Sequence, residues 1–180
     1  CFKSYNFSIN KPNNASMDFG FEDYGVFIDD QYNNVYLYSS SIFGIRIYSN
    51  NDFLNIKRII SVEGQVEDIV SSDNVAFVIT DNGVILLSKK DILSDNAVLY
   101  YFENISVDNI FFDKNETYFL IDDQLFLLDE IDFSLIHVYT FSEIYQNSFY
   151  FEANNSIVLY NDNSFYAEVI SLNDYSSFKQ

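Results

Sequence analysis

Four short apolar runs recur along the chain: Val35-Tyr36-Leu37-Tyr38, Val75-Ala76-Phe77-Val78, Thr117-Tyr118-Phe119-Leu120 and Ile157-Val158-Leu159-Tyr160. They start at 35, 75, 117 and 157, a spacing of about forty residues throughout. A second run follows each after a polar turn: Gly44 to Tyr48, Gly83 to Leu87, Gln124 to Leu128 and Phe165 to Val169. Another precedes each: Gly25 to Ile28, Asp68 to Val70, Asn109 to Phe112 and Ser148 to Phe151. Further runs at 56–60, 98–102 and 136–141 close the first three units. Each run is strand-length and rich in β-branched and aromatic residues, so each predicts a strand.

The connectors agree. Asn33-Asn34, Asp73-Asn74, Lys114-Asn115 and Asn154-Asn155 separate first from second strands. Asp81-Asn82-Gly83, Asp122-Asp123 and Asn161-Asp162-Asn163 separate second from third. Asn, Asp and Gly tolerate the positive φ of tight hairpins. Each unit therefore reads as an antiparallel meander of four strands.

Polarity then selects the architecture. A sheet with one wet face alternates apolar and polar residues, whereas these second and third strands are nearly continuous apolar runs, as expected for burial on both faces. Fourth strands are more mixed, with Lys57 and Arg58 in the first unit. Buried inner strands and wetter outer ones fit blades packed face to face, and the prediction is an all-β, β-propeller-like array of four four-stranded antiparallel blades. A β-sandwich needs no such period, and a solenoid usually repeats at roughly twenty to thirty residues.

The second unit, with Asp68-Ile69-Val70, Asn74-Val75-Ala76-Phe77-Val78 and Gly83-Val84-Ile85-Leu86-Leu87, is similar to LVIVD-type propeller repeats of bacterial envelope lipoproteins. In repeat form the resemblance covers residues 21–180. The chain departs from that pattern by lacking the Asp-x-Ser-x-Pro tail after the third strand. The double glycines of kelch repeats and the Trp-Asp pair of WD40 repeats are also missing. The resemblance implies an envelope setting and assigns no functional residue.

The units fall at about 21–62, 63–104, 105–143 and 144–180, after an N-terminal segment 1–20. The fourth unit lacks a strong fourth strand, Phe178 being a weak candidate, while residues 2–9 alternate apolar and polar. One expectation is that this segment pairs with the last unit and closes the ring, removing two open edges. The other is an incomplete ring belonging to a longer protein.

Charge narrows the partners. Nine basic and 27 acidic residues give a net charge of −18. Such a surface repels phosphate backbones and anionic headgroups, which argues against nucleic acid. The acidity serves solubility or forms a docking face for a basic partner. Cys1 is the only cysteine, so no internal disulfide can form. Bacterial lipoproteins begin with a lipid-bearing cysteine and a short polar tether. Cys1 is thus the expected lipidation site, 11–16 the tether, and a lipid anchor the only expected link to the membrane.

The search for chemistry returns little. A single histidine, His137, rules out multi-histidine metal sites, and no metal or cofactor is expected. The five glycines form no phosphate-binding loop. Asp29-Asp30, Asp122-Asp123 and Asp129-Glu130 occupy predicted turns or strand ends, where paired acids are ordinarily solvated. Asp81-Asn82-Gly83 and Asn161-Asp162-Asn163 lack the closing Glu of a calcium loop. No catalytic residue is assigned.

The expected function is a non-catalytic binding or scaffolding module for an envelope protein or glycan. Its candidate contact loops are Tyr32 to Asn34, Asp113 to Glu116 and Glu152 to Asn155. The alternative is a fragment of a propeller enzyme such as a carbohydrate-active hydrolase. Its sign would be acids at matching inner-strand places, with Asp68 and Asp108 as candidates beside Tyr24 or Gly25 and Gln146 or Asn147.

Overall fold

The structure is a computed structural model that describes residues 24–39, 44–113, 116–163 and 166–179. The chain divides into two compact units, Cys1–Asn104 and Ile105–Gln180. The described strands form four separate four-stranded antiparallel sheets, each ordered as the chain runs.

Unit 1 holds two sheets. The first contains β1 (Tyr24–Asp29), β2 (Asn34–Ser39), β3 (Ile45–Ser49) and β4 (Asp52–Ile60). The second contains β5 (Val66–Ser71), β6 (Val75–Thr80), β7 (Gly83–Ser88) and β8 (Val98–Glu103). Unit 2 holds the third sheet, β9 (Asn109–Asp113), β10 (Glu116–Ile121), β11 (Gln124–Leu128) and β12 (Leu135–Thr140). It also holds the fourth, β13 (Asn147–Phe151), β14 (Ser156–Tyr160), β15 (Ala167–Ser171) and β16 (Ser177–Lys179).

Burial follows the apolar pattern. Every residue of β7 is buried, as are five of the six in β6. The fourth strands β4, β8 and β12 are mostly exposed or half-buried, and all three residues of β16 are exposed. The central strands of the second sheet are thus covered on both faces, those of the other sheets are mostly buried to half-buried, and the last strand of each sheet is wet. In unit 1 the facing sheets share one core, from Tyr36, Ile45 and Ile47 of the first to Ala76, Val78 and Leu87 of the second. In unit 2, Tyr118, Leu120 and Leu125 share a core with Ile157, Leu159 and Ile170.

The hairpin chemistry is as the Asn and Asp residues predict. Asn33, Asp122 and Asn155 hold φ of 56°, 53° and 50°, left-handed values that asparagine and aspartate tolerate. Gly83 closes the β6–β7 hairpin at φ +147°, where an added Cβ would lie 2.1 Å from the carbonyl oxygen of Phe102.

The fourth sheet differs in detail from the sequence reading. Its third strand starts at Ala167, two residues beyond the expected Phe165. Its outer place is held by β16, in which Phe178 pairs with Val169. The N-terminal segment 1–20, with the expected tether 11–16, closing strand 2–9 and Cys1, lies outside the described residues.

Candidate functional site

Cross-strand register fixes which residues of the four sheets are equivalent. Gly25 pairs with Tyr38, Asp68 with Ile79, Asn109 with Leu120 and Asn147 with Tyr160, and all four occupy one inner-strand position. Asp68 and Asn109 even share a local bond, each side-chain oxygen accepting the next residue's N–H at 2.8 Å. The partner of Asp68 is therefore Asn109, not Asp108. Counting forty residues slips by one because Gly25, Asp68, Asn109 and Asn147 lie 43, 41 and 38 residues apart rather than at a constant forty. Asp108 instead accepts the N–H of Asp122 across a hairpin at 2.7 Å, and burial raises its pKa. The inner-strand position thus carries one carboxylate in four sheets.

At this position each unit is stitched between its sheets. Tyr38 donates to Asp68 at 3.3 Å in unit 1, and Asn109 donates to Ser148 at 3.0 Å in unit 2. Gly25 is required by the first stitch. A Cβ there would meet the Tyr38 ring at 2.2 Å, so only glycine lets the phenol lie across β1 and reach Asp68.

A second equivalence lies at the opposite ends of the inner strands. Phe27 pairs with Tyr36 and Asp29 with Asn34, while Phe111 pairs with Tyr118 and Asp113 with Glu116. Asp29 and Asp113 therefore match, and alternation places each on the same face as the matched tyrosine. Both are buried. The counterparts on the facing sheets are Lys89 and Leu172. Each follows a serine closing the third strand, and each N–H bonds the residue before the second strand, Asn74 (3.0 Å) or Asn155 (2.9 Å).

In unit 1 the site is closed. Lys89 Nζ lies 3.1 Å from Asp29 Oδ1, with side chains 6% and 1% exposed. The ammonium also donates to the carbonyl of Ser72 at 3.0 Å and sits 5.8 Å from the centre of the Tyr32 ring. Asp29 Oδ2, Asn34 Oδ1 and the Tyr36 hydroxyl are buried there with no hydrogen-bond partner among the described residues. Burial, with the charge of Asp29, pushes the Tyr36 phenol well up. Asp29 is thus no solvated turn acid.

In unit 2 the same place is open. Leu172 cannot pair with Asp113, and a groove of about 690 Å³ is lined by Asp113, Tyr150, Glu152, Asn154, Asn155 and Asn173, among others. The Tyr150 hydroxyl lies 3.0 Å from Asp113 Oδ1 and 2.9 Å from Asn155 Oδ1, its one proton shared between them. Asn155 Nδ2 donates to Asn173 Oδ1 at 3.0 Å, which turns the Asn155 oxygen towards Tyr150. Burial, the bond to Asp113 and the nearby carboxylates push the Tyr150 phenol up to about 12, so it remains a donor. The groove thus joins two of the three loops expected to make contacts. The third, Tyr32 to Asn34, belongs to unit 1.

Glu168 is the acid that sequence reasoning missed. It is 3% exposed, and Oε2 accepts from the Ser142 N–H (3.0 Å), the Ser142 hydroxyl (2.8 Å) and Tyr145 (2.9 Å). Tyr139 donates to Oε1 at 3.1 Å and also bonds Ser177. Burial raises the Glu168 pKa, but these bonds together outweigh it and leave the carboxyl below its usual range. With every donor held by its own fold, the group serves as a tie. A lone charge in an apolar third strand was its only sequence signal. His137 sits exposed on β12, its Nε2 2.9 Å from Thr140 Oγ1 and its ring edge-on to Phe126. Among the described residues no group of three or more His, Cys, Asp or Glu is placed to hold a metal ion.

Blades of four antiparallel strands, buried at the centre and wet at the last strand, define a β-propeller-type chain. Solved structures agree on the fold. Hsv2 from Kluyveromyces lactis superposes with a TM-score of 0.65 at 7% identity, over 88% of this chain and 51% of that one. Hydrazine synthase from Kuenenia stuttgartiensis gives 0.64 at 8%, over 86% and 48%. The dihydro-heme d1 dehydrogenase NirN gives 0.61 at 11%, over 86% and 35%. The chain spans about half or less of the length of these propellers, whose functions differ. No family model matches the chain, and no curated protein does.

Proposed function

We propose that this chain is a non-catalytic recognition module, presented at a bacterial membrane surface by a lipid on Cys1. The observation that carries the reading is the unit 2 groove, whose polar side chains are positioned by one another. Paired, pre-oriented side chains lose little freedom on binding, which favours recognition. A propeller scaffold lets such loops vary without disturbing the core. The lipid anchor rests on the resemblance to envelope lipoprotein repeats.

The test is site-specific photo-crosslinking in the native cells. A photoreactive residue at Asn154 should give a discrete adduct, while the same residue at Leu54, 75% exposed on β4, should give none. Equal labelling at both sites would end the proposal. Intact mass of the native protein tests the anchor, which requires added acyl groups on Cys1.

A second reading, a fragment of a larger propeller enzyme, is favoured by the partial coverage of its structural neighbours. It gains little from the inner strands, where Asp68 stands alone beside Gly25, Asn109 and Asn147. Glycan turnover by the wild type that disappears in Asp68→Asn would put this reading first.

A further inference from the structure

The two units hold the same carboxylate in two states, and the comparison names a ligand. We infer that the unit 2 groove is an ammonium-binding site that takes a lysine side chain from a partner polypeptide. This rests on the recognition reading above and supplies its ligand chemistry.

Unit 1 displays the complex within one chain. There the ammonium of Lys89, on a flexible four-carbon stem, meets the buried Asp29 carboxylate at 3.1 Å, a backbone carbonyl at 3.0 Å and the face of Tyr32. In unit 2 the matching carboxylate, Asp113, lines a groove instead. Leu172 has replaced the lysine and is drawn into the core with Ile170 and Tyr175. The groove also carries groups that suit an ammonium: a second carboxylate (Glu152), an aromatic ring (Tyr150) and amide side chains (Asn155, Asn173). Among the described residues that line it, none is basic. A compact cation on an apolar stem suits this set, and the ring adds cation–π attraction. A net charge of −18 would draw in a basic segment from a distance.

The experiment titrates 15N-labelled full chain with the capped tripeptide Gly-Lys-Gly, and separately with its norleucine counterpart, which keeps the stem and lacks the charge. The expected result is saturable shifts of the amides of Glu152, Asn154 and Asn173 with the lysine peptide alone. Glu152→Gln, an exposed change that leaves the fold intact, should weaken binding several-fold. Leu172→Lys should abolish it by supplying the ammonium internally. Equal binding of the norleucine peptide overturns the inference. So do unsaturable shifts spread over the acidic surface and indifferent to both variants. A crosslinked adduct at Asn154 without any lysine response rejects the ammonium assignment and leaves the recognition reading in place.

Discussion

Replacing Lys89 with methionine isolates the energetics of the buried pair in unit 1. The substitution keeps an unbranched side chain one atom shorter and removes its charge, so the cavity term is small. At 3.1 Å the lost attraction is about 5 kcal/mol if the effective dielectric constant is about 20. With side chains 6% and 1% exposed, solvent screening does little to reduce it. Among the described residues Asp29 Oδ2 already lacks a donor, so the carboxylate is left buried and uncompensated. Breaking such a pair costs about 3–5 kcal/mol, a large share of the stability of a typical domain. With a urea m-value of about 2 kcal/mol/M, the midpoint should fall by roughly 1.5–2.5 M. Urea unfolding followed by far-ultraviolet circular dichroism measures this, and hydrogen exchange at the amides of β6 and β7 confines it to unit 1. The double variant Asp29→Asn/Lys89→Met should recover most of the loss, because no buried charge remains. A single-variant shift below about 0.5 M, or a double variant no better than the single, would refute the argument.

Other expectations follow from the same geometry. Tyr36 and Tyr118 are equivalent, yet Tyr36 OH has no partner among the described residues whereas Tyr118 OH donates to Glu116 at 2.7 Å. Tyr36→Phe should therefore be neutral or raise stability by up to about 1 kcal/mol, and Tyr118→Phe should lower it by about 1 kcal/mol, both read from thermal midpoints. Gly25→Ala should cost about 1–3 kcal/mol, as the new methyl displaces the Tyr38 ring from Asp68. Glu168 has a folded pKa below its unfolded value, so its contribution is present above the unfolded pKa near 4.5 and is lost as pH falls through the folded value. Glu168→Gln should be less stable than wild type at pH 7, with the gap closing on acidification. A gap independent of pH between 7 and 3 would show that the carboxylate charge is not what the fold uses.

Much of the fold is legible because its causes are local. The alternation of about forty residues is written in runs such as Val75 to Val78. Asn33, Asp122 and Asn155 mark turns because their own backbone angles demand a residue tolerant of positive φ. The weakness of the last strand was readable too, in the single apolar residue Phe178 of β16. The register of matching positions was not readable to the residue, so Asp108 stood where the structure places Asn109.

The sites themselves were hardly legible. Asp113 and Glu152 to Asn155 could be named as loop residues, but their convergence around Tyr150 depends on a facing sheet that no local pattern specifies. Asp29 read as a solvated turn acid, and only Lys89, reaching over from the second sheet, makes it a buried ion. Glu168 looked like an interruption in a strand until Tyr139, Ser142 and Tyr145 closed around it. The sequence by itself determined strands, turns and the repeat, because short apolar runs and turn propensity act between near neighbours. Tertiary structure decided which carboxylates are buried, which are paired and which face a groove. Those outcomes depend on side chains that meet only when one sheet stacks on the next.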